Sequence, residues 1–515
     1  MTDAIDPQRS PSTSGAAASG SGRKGTIRSL VPARLDRLPW ARFHWMIVVG
    51  LGVSWILDGL EIQIVSQNGY ATEFDMNSAE IGATGTVYLV GQVVGALFFG
   101  RLSDRLGRKK LFILTLAIYL AGSALAGVTP NFDNHWASII VLWVFRFVAG
   151  AGIGGEYAAI NSAIDELIPS HYRGHVDIAI NGTYWGGAAL GAAANLIFLN
   201  SDTFGSDWVD NWGWRLSFFI GPVLGLIIIY LRRHIPESPR WQMTHGFEKE
   251  AEETVDRIEK EVEAQGKKLE PVGDDRAIEL TSHERVPFHI LAKVFFRMYP
   301  KRTLVGATMM ITQSFLYNAI FFSYALALQN FYDIDKSQTG YYFFPFAIGN
   351  LVGPLVLGRL FDSWGRRKMV LLTYGGSGVI LAVSAILFQA DALNAVTQTI
   401  FWCAAFFLAS AGASAAYLTV SEIFPLEVRS QAISYFFSIA QIFGSLAPLI
   451  YGAMIGDGSD RGPITIGYFL GSAIMLVGGI VTFIFGVDAE RKQLEAVTDP
   501  LTLIEKEEAK EAEGR

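Results

Sequence analysis

The chain has 515 residues, 51% of them hydrophobic and only 17% charged, with a mean hydropathy of +0.32; an ordinary soluble protein carries about 25% charged residues. Its formal charge of -7 gives no reason to expect a nucleic-acid partner. A single cysteine, Cys403, excludes an internal disulfide and any cysteine-based zinc or iron-sulfur centre.

Residues 1–37 are rich in Ser, Gly, Ala and Arg and have no apolar period. They read as a disordered cytoplasmic tail, because too little apolar surface is available to offset the entropy of ordering. The tail lacks the apolar core of a cleaved secretory signal, so the run beginning near Phe43 is expected to serve as the insertion signal itself. A helix crosses the hydrocarbon core with roughly 20 apolar residues. On that ruler about twelve spans follow, near 43–66, 80–101, 111–129, 136–160, 176–198, 214–232, 303–327, 340–361, 369–389, 396–420, 431–453 and 464–487.

These boundaries predict an all-α membrane protein of twelve transmembrane helices. A six-helix bundle is expected over 38–232, a cytoplasmic central loop with helices over 233–300, a second six-helix bundle over 301–487 and a charged cytoplasmic tail over 488–515. Within the central loop, Glu248 to Lys268 reads as a polar helix. Phe288, Ile290, Leu291, Val294 and Phe295 alternate with Lys293 and Arg297, which suits either a helix on the inner membrane surface or a solvated linker. The six loops on one side hold only Lys336 and Arg461 as basic residues, whereas the other side carries Arg101, Arg105, Arg108, Lys109, Lys110, Arg359, Arg366, Arg367 and Lys368. By the positive-inside rule both termini are cytoplasmic.

Two motifs recur. Gly100-x-x-x-Asp104-x-x-Gly107-Arg108-x-Lys110 returns as Gly358-x-x-x-Asp362-x-x-Gly365-Arg366-x-Lys368, offset by 258. Glu166-x-x-Pro169-x-x-x-Arg173 returns as Glu422-x-x-Pro425-x-x-x-Arg429, offset by 256. Two independent motifs with nearly one period, close to half the chain, indicate a duplicated six-span unit. Secondary carriers are commonly built from such repeats, with substrate bound between halves that rock against each other.

At these residues, and at Pro236-Glu237-Ser238-Pro239-Arg240-Trp241 after span six, the chain resembles the major facilitator superfamily over about 40–490. Within it the likeness is to sugar porters and metabolite:proton symporters. The resemblance implies two pseudo-symmetric bundles and an inner latch formed by Asp104, Arg108, Glu166, Arg173, Glu237, Asp362, Arg366, Glu422 and Arg429. A carboxylate at those turns can meet helix amino termini and guanidinium groups.

Ionisable residues inside spans are costly and are functional candidates by default. Asp58 and Glu61 in span one stand three apart and share a helix face; Arg146 and Glu156 lie in span four. Asp58-Gly-Leu-Glu61 resembles the first-span phrase of metabolite:proton symporters, with Glu61 in the place of the sugar porters' acid that faces the span-four arginine. A proton is expected on Glu61 or Asp58, with Arg146 tuning its affinity. Gly150-Ala-Gly152-Ile-Gly154-Gly155 matches a dinucleotide-binding pattern by letter only. With no strand before it, these glycines are expected to admit close backbone approach, as are Gly91 and Gly95.

Candidate substrate residues are Asn181, Trp185, Gln313, Asn318, Tyr324 and Tyr417. Gln313 and Asn318 resemble the span-seven amides of sugar porters, but Thr312, Leu316 and Asn181 depart from that pattern, and Tyr184, Trp185, Tyr324, Trp402 and Tyr417 suit a planar ligand. An organic acid or aromatic carboxylate is therefore favoured over a sugar, with Arg146 as the partner of its carboxylate. The eight histidines fall at span ends or in loops and no phosphate-binding loop exists, so neither an enzyme nor an ATP-driven pump is indicated. No cofactor or metal is implied, and a monomer suffices. The expected activity is proton-coupled secondary transport by alternating access, the alternatives being a passive facilitator, an exporter or a solute sensor that does not transport.

Overall fold

The computed structural model describes residues 26–66, 69–232, 236–273, 277–281, 288–424 and 429–487. The first part of the expected disordered tail, 1–25, and the charged tail from 488 onward lie outside the described residues. The spans are Arg42–Ser66, Ser78–Leu106, Arg108–Gly127, His135–Leu167, Ser170–Phe198 and Trp214–Arg232 in the first half. In the second they are Pro300–Tyr332, Thr339–Ser363, Arg366–Gln389, Ala395–Ile423, Arg429–Ile455 and Gly462–Phe485. They are called spans one to twelve below. Eleven are long and apolar enough among their described residues to cross a bilayer; span five has the length, 29 residues, and completes the set.

Helices suit this setting because each satisfies its own backbone where no water is available. Their outer surfaces stay apolar: Phe98, Leu226, Leu355 and Ile466 are all exposed, as a lipid-facing surface requires. Lipid offers no hydrophobic drive for one helix to bury against another, so close association depends on small residues. Span four uses its glycines in this way. A methyl group on Gly150 or Gly154 would lie 2.1 or 2.0 Å from the carbonyl oxygens of Tyr88 and Gln92 in span two, and one on Gly152 would lie 2.5 Å from Tyr119 N in span three.

The duplication is written into the packing. Gly95 lies against the Ala151 carbonyl, and Gly353, 258 residues on, lies against the Phe407 carbonyl; an added methyl would approach these oxygens to 2.0 and 2.1 Å. Gly107 and Gly365 both have positive φ, 86° and 99°, and start spans three and nine in a backbone region that favours glycine. Thr115 Oγ1 donates to Leu111 O at 2.9 Å, as Thr373 Oγ1 does to Met369 O. A tyrosine of the third helix in each half also donates to a carbonyl of the first, Tyr119 to Leu57 O at 3.4 Å and Tyr374 to Met309 O at 3.1 Å, although the two tyrosines are not at equivalent positions.

One segment corrects the expectation from composition. Within 26–37, Thr26–Ser29 forms a strand, β1, antiparallel to β2, Ile278–Thr281, and Val31–Asp36 forms a helix. That helix docks on the polar loop helix Glu248–Ala264. Val31, Leu35 and Leu38 are buried with Ala251, Val255, Ile258 and Val262, an apolar stripe at helical spacing on an otherwise charged helix. Arg34 then fans across Glu252 at 2.6 Å and Asp256 and Glu259 at 2.5 Å, while Arg37 meets Glu259 at 2.5 Å. Composition suggested disorder because the partner surface lies over 200 residues away in the chain. The segment from Phe288 is helical rather than a solvated linker: Phe288–Lys293 continues into a turn whose Phe295 packs on Phe424 and Phe436 of the second half.

Candidate functional site

Asp58 and Glu61 leave span one in neighbouring directions and enter two different networks. Glu61 faces spans three and four, where Arg146 Nη1 donates to Oε1 while Ser123 Oγ and Tyr119 OH donate to Oε2 at 2.9 and 3.2 Å. Both members of the Glu61–Arg146 pair are 0% exposed. The guanidinium also lies 4.3 Å from the Tyr88 ring centroid and 5.5 Å from that of Phe218. An ion pair so enclosed is held by attraction in a medium of low dielectric, and removing one member strands the other. Arg146 thus has its charge met by Glu61 through Nη1, while its Nε and Nη2 make no hydrogen bond among the described residues.

Asp58 faces spans two and four. Tyr88 OH and Gln92 Nε2 donate to its Oδ1 at 2.8 and 3.0 Å, and Tyr157 OH donates to Oδ2. All three partners are neutral. Tyr88 belongs to both networks, its hydroxyl on Asp58 and its ring face on Arg146. Asp58 is 2% exposed and, with Ser54, Trp55, Ile153, Glu156, Tyr157 and Ile160, borders a narrow cleft with no room for a water molecule. Trp55 packs edge-on against Tyr157, 4.7 Å between centroids, so part of this lining is aromatic.

Of the candidate substrate residues, Trp185 sits where span five meets the second half, its ring 5.9 to 6.1 Å from those of Tyr317, Phe321 and Phe346. Tyr324 accepts a hydrogen bond at 2.5 Å from Gln63 Nε2 of span one, joining the halves. Gln313 spends an amide hydrogen on Ala409 O of span ten at 3.2 Å, and Asn318 donates to Ser314 O of its own helix at 2.8 Å. Trp402 is buried among the second-half helices. The side chains of Asn181 and Tyr417 lie outside the described residues.

So do those of Asp104, Arg108, Glu166, Arg173, Asp362, Glu422 and Arg429 among the expected latch residues. Glu237 is described: its carboxylate lies against the Gly107 turn and accepts from Lys109 N at 3.3 Å, an anion at the amino terminus of span three. Arg366 is buried at the start of span nine. At the opposite end the halves touch closely. Ser78 donates to Gly456 O, Leu449 N donates to Thr86 Oγ1 at 3.2 Å, and a methyl on Gly82 would lie 2.2 Å from Pro448 O.

Sequence reasoning missed Tyr88, Gln92, Tyr157 and Gln441. Tyr88 and Gln92 are four apart on one face of span two, but an uncharged amide or phenol in a span is ordinary. Only their convergence on Asp58 marks them.

A profile of the sugar (and other) transporter family matches residues 59–499. The chain is 25% identical over 473 residues to a niacin transporter, NiaP, of Acinetobacter baylyi, covering 90% of this chain and 99% of that one. It is 25% identical over 431 residues to a proline/betaine transporter of Escherichia coli, covering 83% and 78%. The fold is similar to that of the inward-open xylose transporter XylE from Escherichia coli, with a TM-score of 0.69, 18% identity and coverage of 88% and 98%.

Proposed function

Because the chain belongs to the sugar (and other) transporter family and is a multi-pass membrane transporter of the major facilitator fold, we propose that it moves a small organic metabolite by alternating access, in symport with a proton carried on Asp58. The observation that carries the proton assignment is the contrast between the two acids of span one. Both are buried, but Glu61 is charge-paired to Arg146, whereas Asp58 is held by neutral donors alone. A carboxyl without a contacting cation can exchange its proton at less cost than one locked in an ion pair, where protonation would strand Arg146. Glu61 and Arg146 then serve as a fixed electrostatic neighbour, and Glu156 shares the cleft wall.

The substrate is a flat or nitrogen-bearing metabolite in this reading. Trp55, Tyr157, Tyr184 and Trp185 give aromatic surface near Asp58 and the half-interface, and the names of the relatives, niacin and proline/betaine transporters, fit such a ligand. Niacin, proline and betaine each carry a carboxylate, and the Nε and Nη2 of Arg146, which make no hydrogen bond among the described residues, are the donors for such a group. The protein resides in the cell membrane with both termini cytoplasmic, following the distribution of Lys and Arg. The end closed by Ser78, Gly82, Thr86, Pro448 and Gly456 is then the outer one. A monomer is sufficient, because both halves of the pathway come from one chain.

The test is uptake into proteoliposomes over a substrate panel, with and without a proton gradient. Asp58→Asn should abolish gradient-driven accumulation while leaving counterflow, which needs no net proton movement. Full accumulation by Asp58→Asn would remove the proton from this residue, and absence of any flux across the panel would favour a sensor.

A further inference from the structure

The halves cross at two related places in the repeat. In one, Trp185 of span five packs against rings of spans seven and eight. In the other, 256 residues later, Gln441 of span eleven donates Nε2 to Gln92 Oε1 of span two at 3.1 Å. The first crossing is aromatic and the second is a chain of polar groups. Ser314 Oγ of span seven donates to Gln441 Oε1 at 2.5 Å, Gln441 donates to Gln92, and Gln92 donates to Asp58 Oδ1 at 3.0 Å. Every donor in this chain points toward the carboxylate. The far end is tightly seated: Gly444 leaves no room for a side chain, since a methyl there would lie 2.1 Å from Ser314 Oγ and 2.7 Å from Asn318 Nδ2.

We propose that Gln92 and Gln441 are coupling residues that transmit the charge of Asp58 to the contact between the halves, an inference that rests on Asp58 being the proton's seat. A carboxylate only accepts hydrogen bonds, so an anionic Asp58 fixes the Gln92 amide with its NH2 inward and its oxygen toward Gln441. Once Asp58 is neutral, that charge-assisted bond falls to ordinary strength. A hydroxyl at Oδ1 then needs an acceptor. Gln92 supplies one by turning its amide, which sets its NH2 against the NH2 of Gln441 and breaks the link between the halves. The closed outer contact thus favours the anion, and protonation favours opening. The charged and titratable groups around Asp58 are Glu61 on its own span, Tyr88 on span two, Tyr119 on span three, Arg146, Glu156 and Tyr157 on span four, and Tyr184 on span five. Of these, only Tyr88 and Tyr157 donate to its carboxylate. Tyr157 also reaches the second half, its ring 5.6 Å from that of Phe437 in span eleven, but that contact is between ring faces and carries no hydrogen bond onward as Gln92 does.

The experiment places spin labels at Asp133→Cys and Ser459→Cys in a Cys403→Ala background and measures their separation in lipid nanodiscs between about pH 8 and pH 5, a range reached by buried carboxyl groups. The full-length protein should shift toward the outer-open distance by about tenfold in population ratio across this window, a usual size for coupling between sites. Gln441→Leu, and Gln92→Met as a second variant, should flatten that slope to less than about twofold, and Asp58→Asn should be equally flat. Thr86→Val loosens the same interface through the Leu449 contact and should shift the ratio alike at every pH, leaving the slope intact. If both glutamine variants keep the full slope while Asp58→Asn loses it, the link is overturned and the proton assignment stands. If Asp58→Asn keeps the slope, the assignment itself fails. A flat response in Thr86→Val would also overturn the link, because any loosening would then suffice.

Discussion

The two halves repeat one backbone but differ in what they place at equivalent positions. The glycine pair that equates Ala151 with Phe407 also equates Arg146 with Trp402. Tyr88 and Gln92 correspond in the same way to Phe346 and Asn350, 258 residues on. The first half therefore holds a buried ion pair and a second acid where the other half holds amides and rings. Within the described parts of spans seven to twelve, no acidic or basic side chain lies away from the ends. The duplication kept the packing and divided the chemistry: buried charge on one side, neutral polar and aromatic contacts on the other.

The sharpest way to break this comparison is Arg146→Met. Stranding Glu61 in the sealed site should cost about 3–5 kcal/mol, read as a lower unfolding midpoint in detergent, and adding Glu61→Gln should recover much of the loss. No recovery would mean that Arg146 acts through packing, as its counterpart Trp402 does. Next in size, Gly95→Val and Gly353→Val should each destabilise by about 1–3 kcal/mol through overpacking, and by similar amounts, because both face a carbonyl at nearly one distance. Tolerance at one site alone would show that the repeat in packing is only apparent. Asp58→Asn should change stability by less than about 1 kcal/mol, the scale of a single neutral hydrogen bond, while abolishing gradient-driven accumulation. A large loss of stability there would make Asp58 a structural acid like Glu61.

The smallest effect concerns the tether between the chain's beginning and its central loop. Burial by itself pushes the Glu259 carboxyl up, but Arg34 and Arg37 together hold it below its ordinary 4.5. A depressed carboxyl contributes stability that is fully present above that ordinary value and is lost as pH falls through the folded one. Hydrogen exchange over 31–37 should therefore rise under acid, and Arg34→Ala should raise it at neutral pH by the equivalent of about 0.2–1 kcal/mol. Unchanged exchange in Arg34→Ala would assign the docking to Val31 and Leu35 alone.

The spans, their number and the duplication were legible in the chain because a bilayer imposes a length and an apolar composition on every crossing, and because Asp, Gly, Glu and Pro recur at one offset. The acids and the arginine of the first half were legible for a related reason, since charge inside a span is too costly to be incidental. What tertiary structure decided is which acid meets the arginine. Two carboxylates three residues apart on one helix differ by only some 60° of rotation, and the identity of the facing helix at each angle makes one a buried ion pair and the other a buried acid with neutral partners. It also decided the order of 26–37 and the joining of Gln92 to Gln441, both made by groups hundreds of residues apart whose individual residue types carry no mark of their partners.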